Sequence, residues 1–179
     1  LADNSSPDCG IRGPENQCLA TVDQIRALPL YHRENITDDY LDAMGHMNVR
    51  WYMAIFDNTT WQFFNALGLT SEYFETRHKG MFALRQFINY FSEVLPGHTV
   101  SVHTRLLGRT DKRFHFMHFM VNDDTGQVAA SFESMGTHAD LELRRSAPLP
   151  DSIAEALDAK LEKDRALTWE APACGVIKL

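Results

Sequence analysis

The chain has 179 residues, 44% of them hydrophobic, and a formal charge of −7 from 24 acids against 17 bases. That length suits a single domain with a sizeable core and excludes wholesale disorder. The acidic balance argues against broad nucleic-acid binding, which relies on neutralising phosphates.

Residues 1–20 are rich in Pro, Gly, Asn, Ser and Asp without apolar periodicity, and predict an irregular arm outside the fold. No basic-then-apolar leader opens the chain, so no secretory signal is expected. Cys9, Cys18 and Cys174 contain no CxxC pair. They predict neither a disulfide scaffold nor a zinc site, and a reducing, cytoplasmic setting is the expectation. A short helical turn is expected over Val22 to Leu28, stopped by Pro29, and a first strand over Tyr31 to Ile36. Asn48 to Leu67 lacks Pro and Gly, ends before Gly68, and is apolar around most of its circumference. Such a helix is buried on most sides. Its longest apolar run, Trp51 to Phe56, is far shorter than the roughly 20 residues that span a membrane.

Four alternating segments follow. Met81 to Val94 places Phe82, Leu84, Ile88, Tyr90 and Val94 on one face. Thr99 to Leu107 alternates through Val100, Val102 and Leu106, and Lys112 to Asn122 through Phe114, Phe116, His118 and Met120. Gln127 to Ala139 alternates through Val128, Ala130 and Phe132. Short turns join them, including Pro96-Gly97 and Asp123 to Gly126, so an antiparallel meander is expected. Ser152 and Glu155 form a capping-box pattern opening an amphipathic helix. The outline is α+β: a 21–150 domain with a long central helix and antiparallel strands, then a 151–179 helix and tail.

The stretch Asp39 to Asn48 crowds a carboxylate, a glycine and a histidine into a loop leading to a helix N-terminus. Free backbone N–H groups and the helix dipole there stabilise negative charge, such as a developing oxyanion. Asp42 could attack an acyl carbon or deprotonate water. Equally, Asp42 and Asn48 could simply cap turns and the helix.

The run Asp42-Ala43-Met44-Gly45-His46-Met47-Asn48 with Tyr52 resembles the D-x-x-G-H-x-N-x-x-x-Y signature of hotdog-fold acyl-CoA thioesterases, in the 4-hydroxybenzoyl-CoA thioesterase-like branch. Glu93 to Val100 resembles that family's proline–glycine turn. The resemblance implies a hotdog fold, a central helix wrapped by a curved antiparallel sheet, and hydrolysis of an acyl-CoA to acid and CoA. It implies Asp42 as nucleophile or general base, and Gly45 and His46 as the turn whose N–H groups polarise the thioester carbonyl. Asn48 and Tyr52 would shape the acyl pocket. Apart from the resemblance, Phe87, Asn89 and Tyr90 on the strand after the helix could line that pocket from a partner subunit. A homodimer or dimer of dimers is implied, with no metal and no cofactor beyond the CoA of the substrate. The chain departs from the pattern at Val49, Arg50 and Trp51, so the acyl group stays open among short, branched, aromatic and quaternary-ammonium types.

Arg105 to Arg113 carries four bases and one acid. Arg109, Lys112 and Arg113 there are candidates for the CoA phosphates, Arg144 and Arg145 weaker ones; an ordinary solvated hairpin is the alternative. His115 and His118 point to opposite faces of one strand, and neither H-E-x-x-H nor a Cys/His cluster appears, so no metal site is expected. Two other functions fit the same fold: a non-catalytic acyl-CoA sensor, and a dehydratase or hydratase pairing an acid with a histidine.

Overall fold

The computed structural model describes residues 9–13 and 18–179. Strands β1 (Cys9–Arg12) and β2 (Cys18–Thr21) form a hairpin, followed by helix α1 (Val22–Arg26) and strand β3 (Leu30–Asn35). Helix α2 (Val49–Ala66) and short helix α3 (Ser71–Arg77) lead into strands β4 (Lys79–Tyr90), β5 (Thr99–Arg109), β6 (Arg113–Asn122) and β7 (Gln127–Asp140). A two-residue strand β8 (Arg145–Ser146) and helix α4 (Asp151–Arg165) complete the order.

The main sheet runs β3-β5-β6-β7-β4, all antiparallel, with β8 beside β7. Only β5, β6 and β7 form the expected meander. β4 instead lies at the far edge, because β3 and β6 already occupy the two hydrogen-bonding edges of β5. Helix α2 packs on one face of this sheet through Tyr52, Ile55, Phe56, Phe63 and Phe64. Each such buried side chain contributes roughly 1.5–3 kcal/mol. Leu157 and Leu161 of α4 close the end of the same core.

Bulges change two of the expected faces. On β4 the register slips between Ala83 and Arg85, so Met81 and Ile88 both pack on the core while Phe82 and Leu84 stay exposed. On β7 the slip between Val128 and Ala130 turns Val128 to the opposite face from Phe132. One extra residue inverts a period-two pattern.

The opposite face is covered too, by Ile11, Ala20, Val22, Ile25 and Trp169 packed on Met117, Phe119, Val121 and Val128. Part of the stretch expected to be an irregular arm is therefore a sheet-covering hairpin; residues 1–8 and 14–17 lie outside the described residues. Its four-residue strands bury one residue each, too few to register as periodicity. The reading of the cysteines is corrected as well: Cys9 and Cys18 form a disulfide with Cα atoms 5.5 Å apart, leaving Cys174 free. The hairpin brings together two residues that no linear motif links.

The real capping box is on α1, where Thr21 Oγ1 accepts from Gln24 N and Gln24 Oε1 accepts from Thr21 N. The one expected at Ser152 does not form, because α4 starts at Asp151 with Pro150 as its N-cap. Among the described residues, no helix is long and apolar enough to cross a membrane.

Candidate active site

The Asp42 loop is a tight turn tied down on both sides. Asp42 N donates to His46 O (3.0 Å), Gly45 N donates to Asp42 O (3.1 Å), and Leu41 bridges to Met47. Gly45 has φ +84°, a left-handed conformation that side-chain-bearing residues rarely adopt. Met47 N donates to Val94 O and Gly97 N to Ile36 O, which fastens the loop to the Pro96-Gly97 turn between β4 and β5.

Within this turn Asp42 Oδ1 accepts from Met44 N at 2.8 Å, and Oδ2 lies 3.5 Å from His46 Nδ1. The Asp42 side chain keeps 19% of its exposure and His46 31%, so both are sheltered yet reachable by solvent. Asn48 is the N-cap of α2, its Oδ1 accepting from Arg50 N (3.0 Å). The capping reading therefore holds for Asn48. Asp42 also closes its own turn, and that bond fixes the direction of its carboxylate. Among the described residues, Gly45 N–H is spent on Asp42 O, while no hydrogen bond engages the N–H of His46 or Val49.

Tyr52 and Tyr90 meet edge-on at 5.1 Å, joining the first turn of α2 to the end of β4. Tyr52 OH donates to Ser92 O, and burial pushes its phenol up to about 12, so it stays protonated. Phe87 and Asn89 alternate with Ile88 and Tyr90, which places them on the face of β4 turned away from α2. The structure does not bring them to the Tyr52 side within one chain.

The basic candidates separate. Arg109 is held by Asp158 of α4, with Nε donating to Oδ1 at 2.7 Å and Nη2 to Oδ2. Arg109, paired with Phe114, ends β5 at the opposite end from Thr99, which adjoins the Asp42 side through Asn35. Ten strand steps of about 3.4 Å put that turn roughly 34 Å along the sheet. Lys112 lies 4.0 Å from Asp111, and Arg113 sits exposed on the same turn. Arg144 and Arg145 are exposed, carry no ion pair among the described residues, and line a groove with Phe82 and Leu84 of the edge strand.

A feature the sequence reading missed is a cleft of about 110 Å³ between α2 and β4, lined by Met53, Asp57, Trp61, Phe82, Gln86 and Ser134 among others. Asp57 is the only acid on α2. The lone acid in a helix whose other charged residue is Arg50 was the available signal.

His118, the one histidine facing α2, is fully buried between Thr60 Oγ1 (3.0 Å) and Thr104 Oγ1 (2.8 Å). Burial drives its pKa down to about 3, so it is neutral and out of reach of a substrate.

Comparison with known proteins decides the family. Residues 36–157 match the model of the thioesterase-like superfamily. This chain belongs to the thioesterase-like superfamily. A betainyl-CoA thioesterase of Pseudomonas aeruginosa is 31% identical over 132 residues, 74% of this chain and 83% of that protein. A proposed thioesterase of Pseudomonas putida KT2440 superposes with TM-score 0.71 at 28% identity, covering 85% of this chain and 97% of that one. A hypothetical Staphylococcus aureus protein solved with CoA gives TM-score 0.76 at 24% identity, covering 85% and 95%. The hotdog architecture implied by the Asp42 signature is thus the observed one, and the chain is an enzyme of the thioesterase class.

Proposed function

We propose that this protein hydrolyses an acyl-CoA, with Asp42 as its catalytic carboxylate. The observation that carries the reading is the placement of Asp42 in a loop leading directly to the start of α2, with unengaged N–H groups beside it. The N–H groups of His46 and Val49, aided by the positive end of the α2 dipole, receive the thioester carbonyl oxygen as it becomes an oxyanion. Asp42 then either removes a proton from water, which adds to the carbonyl carbon, or adds directly to give an anhydride that water opens. Both routes form one C–O bond from water, break the C–S bond, and deliver a proton to the departing thiolate. The products are a carboxylic acid and CoA. His46, near Oδ2 of Asp42, orients that carboxylate. No metal or organic cofactor enters either route.

The assembly we propose is a homodimer, itself able to pair further. β4 is an edge strand exposing Phe82, Leu84, Phe87 and Tyr90, a long apolar edge that soluble proteins rarely leave open. A second copy adding antiparallel across β4 covers it and gives Phe87 and Asn89 a partner surface. Arg144 and Arg145 beside this edge are the cations we assign to the CoA phosphates, in preference to the clamped Arg109. The cytoplasmic setting expected from unpaired cysteines loses its support with the Cys9–Cys18 bond, a kind of link that persists in oxidising compartments. The test is release of free thiol from a panel of acyl-CoAs, short, long, aromatic and cationic. Release is expected from at least one; none from folded protein contradicts the reading.

A further inference from the structure

We infer that the cavity beneath residues 166–179, on the sheet face opposite α2, binds a small oxyanion, a carboxylate or phosphate group, between Arg105 and His115. The site stands apart from the thioesterase reading: its outer wall, Arg165 to Ala173, lies beyond residues 36–157 that match the family. Segment 166–179 runs back across the outer face of the sheet. Trp169 O accepts from Arg105 Nη1 (2.7 Å), Cys174 N donates to Glu133 Oε2 (2.6 Å), and Val176 O accepts from Arg85 Nη1 (3.4 Å). Beneath it lies a cavity of about 370 Å³, lined by Arg105 and His115 among others, and large enough for a small ligand.

Two buried side chains of this cavity keep unused hydrogen-bonding positions: His115 is 8% exposed and Arg105 7%. Both oxygens of Glu133 accept, Oε1 from His115 Nε2 (2.8 Å) and Oε2 from Cys174 N. Nε2 therefore carries a hydrogen, and Glu133 sets the direction of the ring. His115 Nδ1 has no protein partner among the described residues, yet solvent reaches it. Trp51 Nε1 is the one buried side-chain atom among them that lacks both. Arg105 donates to Trp169 O and to Asp164 O (3.2 Å), and its guanidinium is pinned 4.4 Å from the Trp169 ring centroid. A guanidinium held this way has further N–H groups in a rigid fork, the geometry that suits carboxylate and phosphate oxygens.

The charges favour an anion over a cation. Asp164 is engaged by Lys160 Nζ (3.0 Å) and Leu106 N (2.6 Å), and Glu133 by His115 and Cys174, so a cation finds no free carboxylate in the buried part. Arg165 and Glu170, both exposed at the mouth, offset each other. Arg105 and Lys160 balance Asp164 and Glu133, which leaves the buried groups without net charge while His115 is neutral. An incoming anion is matched when His115 takes up a proton at Nδ1 and donates it to the oxyanion, a charge-assisted hydrogen bond backed by Glu133. Anion and proton binding are therefore linked. The groups facing His115 are Arg105 of β5, Glu133 of β7, Asp164 and Arg165 of α4, and Glu170 and Cys174 of the covering segment. Arg85 of β4 lies one strand further, opposite Met135. Histidine is the side-chain type among these that ordinarily titrates between pH 6 and pH 8.

The test is isothermal titration calorimetry of the full chain with sulfate and with acetate, at an ionic strength held constant with chloride. Both probes keep their charge between pH 6 and pH 8, so any pH dependence belongs to the protein. Saturable binding of at least one is expected, several-fold tighter at pH 6 than at pH 8. Buffers of different ionisation enthalpy should reveal uptake of about one proton per bound ion at pH 8. Binding of sulfate alone marks the site as one for phosphate groups, and binding of acetate alone as one for carboxylates. His115→Gln keeps an amide donor for Glu133 but no titrating nitrogen; it should weaken binding about tenfold or more and abolish the proton uptake. Asp42→Asn should bind as wild type does. If His115→Gln fails to fold, the ring nitrogens of His115 followed by NMR in wild type give the same answer, with Nδ1 moving as the ion is added. No saturable binding, binding without proton uptake, an unmoved Nδ1, or loss of binding in Asp42→Asn each overturns the inference. None of these touches the thioesterase reading, which thiol release judges separately.

Discussion

Asp42 Oδ2 lies 3.5 Å from His46 Nδ1 while Oδ1 is held by Met44 N at 2.8 Å, so both residues belong to one small turn with a fixed carboxylate direction. His46→Ala removes the neighbour without touching the backbone donors. It should lower kcat several-fold and leave KM nearly unchanged, as read from steady-state thiol release. A loss as large as that from removing Asp42 would instead make the imidazole a reacting group.

Arg144 and Arg145 border the exposed edge strand, whereas Arg109 is engaged by Asp158. Paired substitution of Arg144 and Arg145 by Ala is expected to raise KM for CoA thioesters about three- to tenfold with little change in kcat, and to weaken the salt dependence of kcat/KM. Arg109→Ala should act mainly on stability, by up to about 1 kcal/mol for an exposed pair. Substrate titrations and thermal melts on the two variants separate these effects.

The elements of the main sheet and α2 were legible because their apolar periods are long: Asn48 to Leu67 was expected helical, and Val49–Ala66 is. Pairing was not legible. Nothing local to Met81–Val94 says that its partner is β7, since that depends on which edges β3 and β6 leave free. The bulge at Leu84 likewise cannot be read from alternation it interrupts. At the site, the Asp42 turn and the Asn48 cap were visible as residue types at the right spacing. Asp57 was not, because its neighbours in the cleft come from β4, β6 and β7.

His118 gives a pH signature for the fold. Its pKa falls from 6.5 to about 3 on burial, and burial also lowers those of His103 and His138. Above pH 6.5 folded and unfolded chains hold the same neutral imidazole, so no stability is lost. As pH falls below 6.5 the unfolded state takes up the proton first, so His118 makes stability decline with falling pH until pH nears 3. Denaturant unfolding of His118→Gln between pH 7 and pH 4 should show a flatter decline than wild type. Equal slopes would contradict a buried neutral His118.

The Cys9–Cys18 bond closes a loop of nine residue steps. In the chain-entropy model its removal costs about 2–3 kcal/mol. Cys9→Ser with Cys18→Ser should therefore lower the midpoint of thermal unfolding, and reductant should do the same to wild type but not to the double variant. Thiol-release activity at 25 °C should persist, since the hairpin packs on the face of the sheet opposite α2.

The most direct test of the account is the release of CoA by wild type and Asp42→Asn side by side, on the best substrate of the panel, with matched circular dichroism spectra. The expected result is a loss of about 10²–10⁴ in kcat at little change in fold, the span general base catalysis supplies. Full activity in Asp42→Asn, with deamidation excluded by mass measurement, would contradict the assignment of Asp42 as the catalytic carboxylate.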